Sequence, residues 1–194
     1  MNRICVFCGS NIGAKPLYQT IAQQMGMCLA NRQLELVYGG GNVGLMGTIA
    51  DAVLAAGGRV TGVIPEALMA KELAHTGLTE LHVVGSMHER KALMVQLADG
   101  FVALPGGFGT LDEFCEVLTW AQLGFHQKPC GILNVEGYYD SLLALVNHAV
   151  QERFIHPEHR SLVLESNDPE QLLDQMIQYQ PAIVEKWIER KVQT

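Results

Sequence analysis

From residue 3 to residue 179, short apolar runs alternate with helix-patterned stretches almost without a break. RICVFC (3–8), LELVYGGG (34–41), RVTGVIP (59–65), LTELHVV (78–84), GFVAL (100–104), PCGILNV (129–135) and SLVLES (161–166) read as strands. Residues 16–31, 45–56, 87–98, 111–123, 138–153 and 169–179 read as helices, the first with Leu17, Ile21, Met25 and Cys28 on one stripe. Strands this apolar must be covered on both sides, and regular alternation with helices calls for parallel strands joined by helical crossovers. The expected fold is therefore α/β, a Rossmann-like doubly wound parallel sheet with helices on both faces. No linker, low-complexity stretch or charge block divides the 194 residues, so 1–194 reads as a single domain.

Open parallel sheets bind ligands beyond the carboxyl ends of their strands, where the strand order reverses. Three strands here run into glycine-bearing loops: CGSNIG after the first, GGGNVGLMG after the second and PGGFGT after the fifth. Glycine lets a ligand approach the backbone, and the N-terminus of a following helix offers unpaired N–H groups to an anion. One such loop is equally well explained as a tight strand-to-helix corner; three together point to one phosphate site. Gly39, Gly41 and Gly44 also fit G-x-G-x-x-G, with Glu66 22 residues beyond. That arithmetic admits a nicotinamide oxidoreductase, but it leaves PGGFGT without a task. No Gly-Lys-Ser or Gly-Lys-Thr occurs, so the loop is not a P-loop. A net charge of −7 argues against a nucleic-acid partner.

Charged residues occupy unusual places. Ser86-Met-His-Glu89 reads as a capping box that starts a helix at Met87, yet Arg90 and Lys91 follow in its first turns, against the helix dipole. Arg90 shares a stripe with Leu93, Met94 and Leu97, so it points toward the sheet or the site mouth and needs an anion there, unless it snorkels out at the helix end. Thr110-Leu-Asp-Glu113 reads as a second capping box, which leaves Glu113 as either a cap or a catalyst. Asp112 and Glu116 are expected to face water on that helix. Glu72 lies in an irregular polar stretch and is either solvated or part of a lid over the site. A carboxylate beside an arginine and a phosphate loop suits stabilisation of a sugar cation, or activation of water, in N-glycoside cleavage.

Five scattered cysteines include Cys5 and Cys8, whose offset of three along a strand puts them on opposite faces. They are expected to be structural thiols, in a reducing cytoplasm. The histidines show no metal-ligand spacing, and no secretory leader or membrane span is expected.

VYGGGNVGLMG, MHERK, PGGFGTLDE and TWAQLGFHQKPCGILNVEGYYDSLL resemble the nucleotide phosphoribohydrolases that activate cytokinins, the LONELY GUY type, over about residues 3–155. Relatives are often labelled lysine decarboxylase, which the residues here do not support. The resemblance implies a Rossmann-like fold, a homodimer, no cofactor and no metal. It also implies hydrolysis of the bond joining adenine, plain or N6-modified, to ribose 5-monophosphate. It places the catalytic pair on Arg90 and Glu113, and substrate contacts on Glu72, Lys91, Gly107, Phe108, Gly109, Thr110, Leu111, Asp112 and Thr119. Ser10, Gly40 and Gly106 are expected to help hold the phosphate, and Met87 and Phe108 to shape the base pocket. Asn11 and Asp112 depart slightly from the family pattern. The remaining alternatives are an AMP nucleosidase in purine salvage, a nicotinamide oxidoreductase, and a carrier of a nucleotide or molybdopterin-type cofactor that does not turn it over.

Overall fold

In a computed structural model, which describes residues 1–69 and 73–181, a seven-stranded parallel sheet forms the centre of the molecule. Its strands are β1 (Arg3–Phe7), β2 (Glu35–Tyr38), β3 (Val60–Pro65), β4 (Glu80–Val84), β5 (Gly100–Ala103), β6 (Cys130–Leu133) and β7 (Val163–Ser166). The intervening helices are α1 (Pro16–Asn31), α2 (Gly44–Ala55), α3 (Met87–Leu97), α4 (Phe108–Gln122), α5 (Asp140–Gln151), α6 (Pro157–Arg160) and α7 (Pro169–Gln178). The sequence-based elements therefore stand, with ends shifted by up to three residues, and the short α6 is added.

Alternate strand residues feed two cores. Ile4, Val6, Leu36, Tyr38, Val102 and Leu104 pack under α1, α2 and α7, through Met25, Leu29, Ile49, Val53 and Leu172. Cys5, Phe7, Val37, Val63, Phe101 and Ile132 pack on the other face under α3, α4 and α5, through Met94, Phe114, Val117 and Leu143. The period of two along each strand produces this division. Cys5 and Cys8 accordingly fall into opposite cores. Both are free, and burial pushes both thiols up.

Strand order is β4-β3-β2-β1-β5-β6-β7. The chain winds outward from β1 through β4, then restarts at β5 on the other side of β1. The switch point thus lies between the carboxyl ends of β1 and β5, where CGSNIG and PGGFGT emerge. No helix among the described residues is long and apolar enough to cross a membrane.

One boundary differs in a way that matters. The expected start of the fourth helix at Leu111 is wrong: α4 begins at Phe108, with Gly107 as N-cap and no side-chain capping bond. Gly107 adopts extended backbone, and its carbonyl accepts the first helical bond from Leu111 N–H at 3.1 Å. Thr110 lies inside the first turn instead of capping it, and its buried side chain presses on Gly106. Glu113 is therefore the sixth helical residue, and the capping-box reading of Thr110 and Glu113 fails.

Candidate active site

The three glycine loops interlock at the switch point. Gly9 N–H donates to the Pro105 carbonyl at 3.1 Å, and Leu45 N–H, at the start of α2, donates to the Gly9 carbonyl at 3.0 Å. A Cβ on Gly106 would sit 2.1 Å from Thr110 Oγ1 and 2.9 Å from Gly9 N, so only glycine lets β1's loop and α4 close on each other there. Between the loops opens a crevice of about 260 Å³, lined by Gly9, Ser10, Asn11, Pro105, Gly106 and Gly107, with Tyr18 and Tyr138 as an aromatic wall. Beside it, the N–H groups of Phe108, Gly109 and Thr110 open α4 and have no partner within the helix. With the positive end of the helix dipole, they make an anion cradle. Phe108 is 93% exposed, so its ring stands at the mouth.

Arg90 is buried in the first turn of α3. As the sequence stripe implied, it turns inward and is only 5% exposed. The snorkelling alternative is thereby excluded. Ser86 Oγ accepts from Glu89 N–H at 3.2 Å and fixes where α3 starts, while the Glu89 carboxylate reaches back to Gly85 N–H at 2.8 Å. The guanidinium then donates from Nε to the Val63 carbonyl at 3.1 Å, and from Nη2 to the Gly39 carbonyl at 3.0 Å. Its Nη1 faces Met87 Sδ at 3.8 Å. A Cβ at position 39 would fall 2.0 Å from Nη2, so the absence of a side chain on Gly39 makes the arginine's seat.

Glu113 is half-buried on α4, and its charge and that of Arg90 both reach the Cys5 thiol of β1. The Cys5 thiol is pushed up by burial first, further by the Glu113 charge, and is drawn back by the Arg90 charge. The Cys8 thiol also feels Glu113 after burial. Two helices from different crossovers thus bring one cation and one carboxylate within electrostatic reach of Cys5 in β1.

The second glycine loop has a different task from the one its motif suggests. Gly39 holds Arg90; Gly40 is buried, with φ +76°, and its carbonyl accepts from His75 N–H at 3.0 Å. Asn42 N–H donates to the Leu73 carbonyl at 2.9 Å, and Gly41 bridges Ala74. Residues 73–75 are thereby strapped across the tip of β2, and His75 is pinned by Asp51 at 3.0 Å. Glu72, the expected lid acid, lies outside the described residues.

Lys91 sits one turn over from the cradle and joins α3 to α4, with Nζ 3.2 Å from Asp112 Oδ2 and 3.1 Å from Glu116 Oε1. Burial works against its charge, but bonds to Glu116 and Asp112 outweigh that and hold the ammonium above the ordinary lysine range. Asp112 faces water as expected, whereas Glu116 is largely covered; that part of the expectation is corrected by the Lys91 bridge. Leu111 is half-buried beside Gly107. Thr119 lies two turns further along α4, and its hydroxyl donates to the Cys115 carbonyl at 2.8 Å. Among the described residues, no hydrogen bond ties Thr119 to the loops. The aromatic wall of Tyr18 and Tyr138 was missed by sequence reasoning, because neither residue lies in a glycine loop or on a charge-bearing stripe.

Comparison with known proteins agrees with this geometry. A family model described as "Possible lysine decarboxylase" matches residues 46–176. A cytokinin riboside 5'-monophosphate phosphoribohydrolase of Arabidopsis thaliana is 51% identical over 179 residues, covering 92% of this chain and 82% of that protein. A second Arabidopsis thaliana protein of the same description is 49% identical over 179 residues, covering 92% and 84%. Among solved structures, the molybdenum cofactor binding protein of Rippkaea orientalis superposes with a TM-score of 0.68 at 24% identity, covering 91% of this chain and 96% of that one. The molybdenum cofactor carrier protein of Chlamydomonas reinhardtii gives 0.69 at 18% identity, covering 92% and 99%. These two show a shared fold and nothing further.

Proposed function

The chain belongs to the cytokinin riboside 5'-monophosphate phosphoribohydrolase family, and from that premise we propose that it cleaves the N-glycosidic bond of an adenosine 5'-monophosphate, plain or N6-modified. The products are a free nucleobase and ribose 5-phosphate. The observation that carries this reading is that a buried, backbone-held Arg90 on α3 and the Glu113 carboxylate on α4 both act on the Cys5 thiol of β1, with the open N-terminus of α4 at the switch point.

The cradle at Gly107–Thr110 takes the 5'-phosphate, with Ser10 across the crevice. Anchoring the phosphate away from the scissile bond orients the ribose and turns binding energy into alignment. As C1'–N9 lengthens, the ribose gains positive charge, which the Glu113 carboxylate opposes. A water adds its oxygen to C1' and passes its proton to Glu113, and the bonding pair leaves with N9. Arg90, which its two carbonyl partners prevent from swinging away, keeps a fixed positive charge beside these events. The test is chromatography of free base after incubation with AMP and with N6-isopentenyl-AMP. Release of adenine or isopentenyladenine is expected; a pure, folded sample that liberates neither would remove the proposal.

A homodimer through the outer faces of α3 and α4 accompanies this reading. The groove between these helices is lined by Ala92, Val95, Trp120 and Phe125, and Phe125 and Leu123 are 74% and 55% exposed beside it. Apolar side chains gathered in this way mark an association surface, and the same helices carry Arg90 and Glu113. Phe125→Glu is expected to convert a dimer to a monomer at micromolar concentration in light scattering. An unchanged mass would place any association elsewhere.

A further inference from the structure

Four successive carbonyls in the loop at the site each have a donor, and three of those donors come from outside the loop. Tyr139 Oη donates to Leu104 O at 2.6 Å, Gly9 N–H to Pro105 O at 3.1 Å, Tyr138 Oη to Gly106 O at 2.5 Å, and Leu111 N–H to Gly107 O at 3.1 Å. A carbonyl oxygen turned toward an incoming phosphate would repel it. Here every carbonyl of residues 104–107 is tied to a donor, which leaves N–H groups as what the loop can offer. Because a trans peptide holds C=O and N–H on opposite edges, fixing the Gly106 carbonyl also fixes the direction of Gly107 N–H.

Tyr138 is delivered to this point by a built turn. Glu136 (φ 52°) and Gly137 (φ +70°) reverse the chain after β6. Asn134 clasps the turn, with Oδ1 accepting from Tyr139 N–H and Nδ2 donating to Asp140, both at 2.8 Å. The Tyr138 ring then stands edge-on to Tyr139 at 5.0 Å and to Tyr18 at 6.0 Å. Tyr139 is buried and belongs to the core, whereas Tyr138 is 43% exposed and lines the crevice.

We propose that Tyr138 is a positioning residue for the anion cradle: its hydroxyl holds the Gly106 carbonyl out of the phosphate's way and sets the Gly107 N–H for binding. This rests on the phosphate-binding reading of the crevice given above. The hydroxyl touches no reacting atom, so its loss weakens ground-state and transition-state binding of the phosphate alike and appears in KM, not in kcat.

The experiment is Tyr138→Phe in the full chain, which keeps the ring contacts and removes the one hydroxyl. AMP affinity measured by calorimetry, and KM for AMP, are each expected to weaken about fivefold to tenfold, the worth of one hydrogen bond. The kcat should stay within about twofold and the thermal midpoint should be unchanged. Unaltered AMP affinity would overturn the proposal, and so would a fall in kcat with KM constant, or a lowered thermal midpoint accounting for the loss. The binding measurement also separates the two levels of inference. Wild-type protein that binds AMP and releases base from neither AMP nor N6-isopentenyl-AMP refutes the reaction, while the Tyr138 comparison still decides the positioning role. Wild-type protein that does not bind AMP refutes both.

Discussion

Glu113→Gln is expected to lower kcat for base release by about a thousandfold or more while AMP still binds with nearly its original affinity. The substitution keeps the size of the side chain and its place on α4, so the loops and the cradle are undisturbed. It removes the negative charge that opposes the developing ribose cation and the group that accepts the water's proton. General-base action alone is worth about 10² to 10⁴ in rate, and the lost electrostatic stabilisation adds to it. Binding is expected to survive because the proposed phosphate cradle is made of backbone N–H groups that the substitution does not touch. Single-turnover measurement of adenine release, paired with calorimetric titration of AMP, checks both halves. Turnover close to wild type would take Glu113 out of the chemistry.

Arg90→Ala is expected to lose both activity and stability, and the pairing of the two effects identifies what the arginine does. Its guanidinium satisfies the carbonyls of Gly39, just past β2, and Val63, within β3, both in the buried interior. Truncation strands those carbonyls and opens a void beside Gly39. The penalty is about 2–4 kcal/mol, taking about 1–3 kcal/mol for each buried group left without a donor and allowing for partial relief by water. The midpoint in urea should fall accordingly. Removing the fixed positive charge should also cut kcat/KM by at least about a hundredfold. A variant as stable as wild type would show that the carbonyls do not depend on the guanidinium. A stable and active variant would also end its assignment to the site.

Arg90 and Glu113 illustrate how far residue patterns reach. The inward turn of Arg90 followed from the spacing of Leu93, Met94 and Leu97, because a helical stripe is a local property. Its seat did not follow: Gly39 lies 51 residues away, and its motif reads as a phosphate turn until the guanidinium is seen against it. For Glu113, the T-x-x-E pattern pointed to a cap. The helix starts two residues before Thr110, at Phe108, because the chain takes helical angles directly after the glycine pair once Gly9 holds the Pro105 carbonyl. That bond joins elements about a hundred residues apart and leaves no trace in local sequence. Tyr138 and Tyr139 escaped notice for the same reason. Their hydroxyls act on carbonyls more than thirty residues away.

Local chemistry alone determined the parallel α/β sheet, the faces of its helices and the inward turn of Arg90. Apolar runs with period two and stripes with period 3.6 admit few other arrangements. Tertiary structure alone decided which glycine loop opens onto a helix N-terminus and which one seats an arginine, where α4 begins, and which side chains tie back the loop's carbonyls. Those outcomes rest on hydrogen bonds and close backbone contacts between strands distant in the chain, which exist only once β1 and β5 lie side by side.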